Sequence, residues 1–155
     1  MNKIGLDQNK INHLSHNLNE LLANYQLFYS NVRGFHWNIK GDKFFELHIK
    51  FEELYNDLNG KIDELAERIL TLGHEPIYRF TEYLKIAEIQ EMAQTSDGIK
   101  NVESIIDSLS ILVSKQRKLL SLSEDAMDEG TNSLMSDYIR EQEKLIWMYT
   151  AFLNK

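Results

Sequence analysis

Apolar residues recur along the first third of the chain at Ile11, Leu14, Leu18, Leu21, Tyr25, Phe28, Val32 and Phe35, in alternating steps of three and four. Steps of that size keep one face of a helix apolar, so the pattern predicts one long amphipathic helix. A second helix is expected after Gly41, where Asp42 is placed to cap it. Its seam runs through Phe44, His48, Phe51, Tyr55, Leu58, Ile62, Leu65, Ile69 and Leu72 until Gly73 ends it. A third starts near Asp97, with Ile99, Val102, Ile106, Leu109, Val113 and Leu120 on one face and polar Gln116 in the remaining seam slot. A fourth follows the turn from Glu124 to Gly130 and directs Leu134, Tyr138, Leu145, Met148 and Phe152 inward.

Four long helices on a three-four repeat pack as a bundle of near-antiparallel neighbours. Only a few residues around Lys40 and Gly41 join the first pair, and only a few around Asp128 join the second, so both pairs are hairpins. Between helices two and three lie about 25 residues, Gly73 to Asp97, enough to cross the whole bundle with room for a short helix near Ile86 to Met92. That crossover distinguishes ferritin-like bundles from simple up-and-down ones. The expected fold is therefore all-α: a ferritin-like four-helix bundle with a short extra helix in the crossover. It forms a single domain over residues 1–155, of which 1–8 are a short N-terminal tail.

Composition narrows the chemistry. One proline and seven glycines in 155 residues are too few for the frequent tight turns of a sandwich or barrel, which excludes an all-β fold. The N-terminus carries no stretch of signal-peptide character and no run of 18 apolar residues occurs, so a soluble, cytoplasmic protein with no membrane contact is expected. With no cysteine there is no disulfide, thiolate catalysis or Cys-ligated zinc, and any metal must be held by nitrogen and oxygen. The formal charge of −7 repels nucleic-acid phosphates and concentrates cations.

In the segment from His36 to Glu67, the imidazoles of His36 and His48 and three of the carboxylates, Glu52, Asp63 and Glu67, are of types that together suit Fe, Mn or Zn. His48 and Glu52 are four apart, as are Asp63 and Glu67, so each pair shares one helix face. Asp63 and Glu67 repel one another at a cost of roughly 0.2 to 0.5 kcal/mol unless water or a cation screens them. The two pairs are separated by about 15 residues, roughly 22 Å of helix, so one ion cannot bridge them within a chain. Eleven residues from 52 to 63 make close to three whole turns, however, so both pairs point the same way. Two copies of this helix crossing antiparallel about a two-fold axis between Asn56 and Asn59 would bring 48 and 52 of one chain against 63 and 67 of the other, twice over. The Glu-x-x-His motif of a site inside one bundle is absent, since none of the five histidines has Glu three residues before it. His13 and His16 have no carboxylate partner set by spacing, and His74 sits at a helix end.

Several stretches then resemble the Dps family, the starvation-induced mini-ferritins. They are NVRGFHW at Asn31 to Trp37, FFELH at Phe44 to His48, FEELY at Phe51 to Tyr55, IDELAERILTLG at Ile62 to Gly73, DEGT at Asp128 to Thr131 and EKLIWMYTAFL at Glu143 to Leu153. The resemblance covers essentially the whole chain. It implies a hollow homododecamer that oxidises Fe²⁺, preferably with hydrogen peroxide, between two-fold related subunits and stores the ferric mineral inside, without an organic cofactor. It assigns His36, His48 and Glu52 to one subunit and Asp63 and Glu67 to its partner, as catalytic and metal-binding residues. Position 52 is Glu where many relatives have Asp, one methylene longer. Trp37 corresponds to a family aromatic associated with stray oxidising equivalents, although a packed interface tryptophan would look the same. Glu124, Asp125, Asp128 and Glu129 stand where relatives carry pore carboxylates, or serve as capping residues of a solvated turn. DNA binding, the family's other activity, depends on a lysine-rich tail, and here the termini supply only Lys3, Lys10 and Lys155. Affinity for DNA is therefore expected to be weak or absent, which disfavours the alternative of a nucleoid-compacting protein without metal chemistry.

Overall fold

The computed structural model describes residues 1–93 and 96–155. Among these it has no strand, and its helices are α1 (Gln8–Asn38), α2 (Phe44–Thr71), α3 (Phe80–Ile86), α4 (Gly98–Asp125) and α5 (Glu129–Phe152). The fold is a ferritin-like four-helix bundle of α1, α2, α4 and α5, with α3 in the long crossover. No helix among the described residues is long and apolar enough to cross a membrane.

α1 begins where the Asp7 carboxylate accepts from the backbone N–H groups of Asn9 and Lys10, satisfying two donors that a helix start leaves open. Its seam from Ile11 to Phe35 is buried at every expected position, and each fully buried leucine there contributes about 1.5–3 kcal/mol of transfer free energy. Ahead of it, the Asn2 carboxamide accepts from the N–H groups of Ile4 and Leu6 and closes a turn. α2 lacks the expected Asp42 cap: Lys43 is the N-cap and no side chain bonds there. The corner is held by backbone, with the Phe44 N–H donating to the Gly41 carbonyl and the Lys40 N–H to the Ser96 carbonyl, each at 3.1 Å. At the other end Gly73 adopts φ +84°, so that its N–H reaches the Leu70 carbonyl and the His74 N–H the Ile69 carbonyl. This pair of bonds closes the helix in the left-handed conformation that glycine takes most easily.

The crossover returns beside α1, fastened by asparagines of that helix. Asn19 accepts from the Ile77 N–H and donates to the Glu75 carbonyl; Asn24 accepts from the N–H groups of Glu88 and Ile89; Asn31 accepts from the Met92 N–H and donates to the Gln90 carbonyl. These bonds correct the position of the short helix. It occupies Phe80–Ile86 rather than Ile86 to Met92, because donors at 88, 89 and 92 are spent on side chains of α1 and cannot form a helical ladder. α4 then starts at Asp97, whose carboxylate accepts from the Ile99 and Lys100 N–H groups, and descends against α1. Val102, Leu109, Val113 and Gln116 are buried as expected, but the face extends to Ile105, Leu112 and Leu119, while Ile106 and Leu120 are half-buried and Ile99 is 47 % exposed. In α5, Tyr138 is buried as expected, but Met148 and Phe152 turn outward, where they line a groove of about 460 Å³ with Leu47, Leu54 and Tyr149. Facing positions inside are taken instead by Met135, Ile139 and Gln142.

Candidate metal centre

The α1–α2 hairpin brings the last turn of α1 beside the first turns of α2, and with them His36 and His48. His36 is 8 % exposed, and the two imidazoles stack with centroids 3.8 Å apart and planes 12° from parallel. Each ring bonds to the other residue's backbone: His36 Nδ1 lies 2.6 Å from the His48 carbonyl and His48 Nδ1 2.8 Å from the His36 carbonyl. A carbonyl can only accept, so both Nδ1 atoms carry the proton. In the neutral rings Nε2 then holds the lone pair, the arrangement that orients a metal-ligating histidine. The His36 carbonyl is among those left open at the end of α1, so the bond also closes the helix.

The rings are held from both sides. Phe44 stacks on His48 at 4.9 Å and Tyr55 meets His36 edge-on at 5.3 Å. Sequence reasoning read these aromatics only as core; the structure places them as walls of the histidine pair. The apolar heptad spacing signals burial, but not which neighbour is covered. Glu52 stands one turn beyond His48 and is exposed, as are Asp63 and Glu67 farther along α2. Within one subunit the described residues contain no group of three or more His, Asp or Glu side chains able to hold a metal ion. The structure thus brings His36 and His48 together, leaves Glu52 adjacent, and keeps Asp63 and Glu67 apart from them on the same helix. Trp37 is 63 % exposed, with the Arg33 guanidinium 4.8 Å from its ring.

The other histidines play different parts. His74 Nε2 lies 2.9 Å from Asn12 Oδ1, while His13 and His16 are exposed. In the acidic turn, Asp128 is a cap rather than a free carboxylate. It accepts from the Thr131 N–H and is paired with Arg68 at 2.6 Å, whereas Glu124, Asp125 and Glu129 stay exposed. Inside the bundle, burial pushes the Tyr25 and Tyr138 hydroxyls well above the usual tyrosine range.

A ferritin-like domain model matches residues 15–155. The crystal structure of the Dps protein from Vibrio cholerae O1, described there as a member of a broad superfamily of ferritin-like diiron-carboxylate proteins, superposes with a TM-score of 0.97 at 56 % identity, covering 99 % of this chain and 96 % of that one. This chain belongs to the Dps family of ferritin-like proteins. Dps from Bacillus brevis superposes with a TM-score of 0.91 at 34 % identity, over 94 % of this chain and 97 % of that one. A DNA protection during starvation protein from Porphyromonas gingivalis is 44 % identical over 113 residues, 73 % of this chain and 71 % of that protein. Membership of the Dps family ties the chain to an iron-related role.

Proposed function

We propose that the protein is a ferroxidase and iron-storage mini-ferritin. It oxidises Fe²⁺ with hydrogen peroxide at sites shared between two-fold related subunits of a hollow dodecamer, and the cytoplasm is where it would meet both substrates. The observation that carries this reading is the reciprocal histidine pair, in which both Nδ1 atoms are occupied by carbonyls and both Nε2 atoms are left as donors of a lone pair to metal. Two imidazoles do not complete a coordination sphere. Glu52 adds a carboxylate from the same subunit, and the eleven-residue step along α2 supplies the rest as Asp63 of the partner subunit and the partner's Glu67.

Each residue type has a task in the reaction. The carboxylates of Asp63 and Glu67 balance the charge of Fe²⁺, and Glu52 supplies the further negative charge that favours Fe³⁺ once an electron has left. The neutral imidazoles add donors without adding charge. Two ferrous ions give up one electron each, hydrogen peroxide takes up both electrons with two protons to form water, and the ferric product hydrolyses to mineral. Consuming ferrous iron and peroxide together keeps them from generating hydroxyl radical elsewhere. This is protection by removal of reactants. A subunit charge of −7 disfavours coating of DNA at physiological salt.

Replacing both Asp63 and Glu67 by Ala is expected to abolish peroxide-dependent Fe²⁺ oxidation, followed by loss of free ferrous ion, while light scattering finds the oligomer intact. Exposed like-charged carboxylates add little to assembly. Unchanged oxidation in the double variant would leave a helical oligomer with no metal chemistry at this interface, and the reading would fail.

A further inference from the structure

Ferritin-like di-iron proteins hold metal inside one bundle, on carboxylates and histidines that project inward from facing helices. The bundle centre of this chain is closed by uncharged groups. The Tyr25 hydroxyl donates to Gln116 Oε1 at 2.5 Å, Gln116 Nε2 donates to Gln142 Oε1 at 2.8 Å, and Gln142 Nε2 donates to the Tyr25 hydroxyl at 2.6 Å. The three side chains form a closed ring that offers no charged ligand to an ion. Beside this ring, where α2 faces α5, Lys61 is 5 % exposed, although lysine is rarely buried. Its Nζ lies 2.9 Å from both Asp57 oxygens and 2.7 Å from Glu141 Oε2, and stands 5.0 Å from the centre of the Tyr138 ring. Oxygens of two acidic residues and an aromatic face thus surround one cation, and that cation is an ammonium.

We propose that Lys61 is the built-in cation of a carboxylate site in the α2–α5 wall, and that it excludes divalent metal from the subunit interior. The corollary that Fe²⁺ is therefore confined to the subunit interface rests on the function proposed above; the exclusion itself does not. Asp57 and Glu141 each remain about half exposed, 48 % and 50 % at the side chain, so ions in solution reach their oxygens. What such an ion would displace is a charge already desolvated and bonded on both sides. The same helix carries Asp63 and Glu67 outward, so two carboxylate sets compete for one substrate, and only the outward set is left without a resident cation. A redox metal at the inner set would sit next to the buried phenols of Tyr138 and Tyr25, whose rings are 6.0 Å apart, and would direct oxidation into the core. Lys61 acts here as a specificity-determining residue, touching neither substrate nor the reacting atoms.

The test uses Mn²⁺, an oxygen-seeking divalent ion whose free form is counted by electron paramagnetic resonance. Glu52→Gln, Asp63→Asn and Glu67→Gln together remove the interfacial carboxylates and serve as the background. In it, the assembled protein with Lys61 intact is expected to bind no Mn²⁺, whereas Lys61→Gln is expected to bind about one ion per subunit. That ion should be lost again when Glu141→Gln is added, and Lys61→Arg, which keeps the charge, should bind none. Mn²⁺ should raise the melting temperature of Lys61→Gln and leave that of Lys61→Arg unchanged. If Lys61→Gln fails to assemble alone, recovery on refolding with Mn²⁺ supports the proposal and failure to recover overturns it. No added ion in a folded Lys61→Gln, or an ion that persists after Glu141→Gln, also overturns it. Mn²⁺ bound to the background with Lys61 intact and lost on Glu141→Gln would overturn it as well.

Discussion

Asp128 has two chemistries open to it at the turn before α5, as a solvated carboxylate near an ion path or as a cap, and its surroundings select the second. It is 2 % exposed and accepts from the Thr131 N–H and hydroxyl, and the Arg68 guanidinium reaches both residues. A Cβ on Gly130 would fall 2.8 Å from the terminal nitrogens of that guanidinium, which its partners hold in place, so glycine stands there. Asp128→Ala removes a cap and strands a half-buried arginine, and is expected to cost about 3 kcal/mol in urea unfolding. Glu124→Ala and Glu129→Ala, both exposed, should each stay within about 0.5 kcal/mol. Equal small losses at all three positions would return Asp128 to the solvated class. At this scale the sequence discloses residue types more readily than partners. His48 stands out because an imidazole is rare on an apolar seam, and His36 sits one residue beyond the seam at Phe35, but the exchange of Nδ1 bonds depends on a hairpin geometry that no spacing encodes. Lys61 was passed over because lysine is ordinarily a surface residue, and only the placement of Asp57 and Glu141 around it gives it another meaning.

Among the elements, the facing of α2 was legible because an ideal helix turns spacing into direction, although its start was not, since Asp42 makes no cap there. The four-residue steps at 48–52 and 63–67 and the eleven-residue step between them follow from 3.6 residues per turn alone. α4 was harder to phase. Asn101, Ser108, Gln116 and Ser123 are all buried, so its inward face is partly polar and an apolar count is drawn toward Ile99. The crossover was legible in length and not in detail, because it is fastened by asparagine side chains of α1 rather than by an apolar stripe. That attachment makes its own prediction. Asn24→Ala leaves the Glu88 and Ile89 N–H groups without their acceptor and is expected to destabilise the protein by roughly 1–3 kcal/mol. Amide exchange should accelerate at 88 and 89 and remain slow along the α1 seam; uniform acceleration would mean that the crossover and bundle open as one unit.

At the scale of the molecule, buried titrating groups set an alkaline limit. Burial raises the hydroxyls of Tyr25, Tyr138 and Tyr149 above the usual tyrosine range. For Lys61, burial pulls downward, but bonds and charges from Glu141 and Asp57 outweigh it and hold the ammonium above the usual lysine value. The unfolded chain releases these protons near pH 10 while the folded chain retains them. Stability from these groups is therefore complete below that pH and declines as pH rises, by up to about 1.4 kcal/mol per unit and group. Urea midpoints from pH 8 to 11 should fall above pH 10, and less steeply in Tyr138→Phe; a flat profile would contradict the burial. The central claim, that neighbouring subunits each supply half of a site, is tested most directly by mixing. A variant with His36→Ala and His48→Ala and another with Asp63→Ala and Glu67→Ala should each be inactive. Dissociated, mixed in equal amounts and reassembled, they form mixed pairs in which one of the two interfacial sites is whole, so about a quarter of the native peroxide-dependent Fe²⁺ oxidation should return. Reassembled mixtures that recover no oxidation, or a parent variant that retains it alone, would contradict the account.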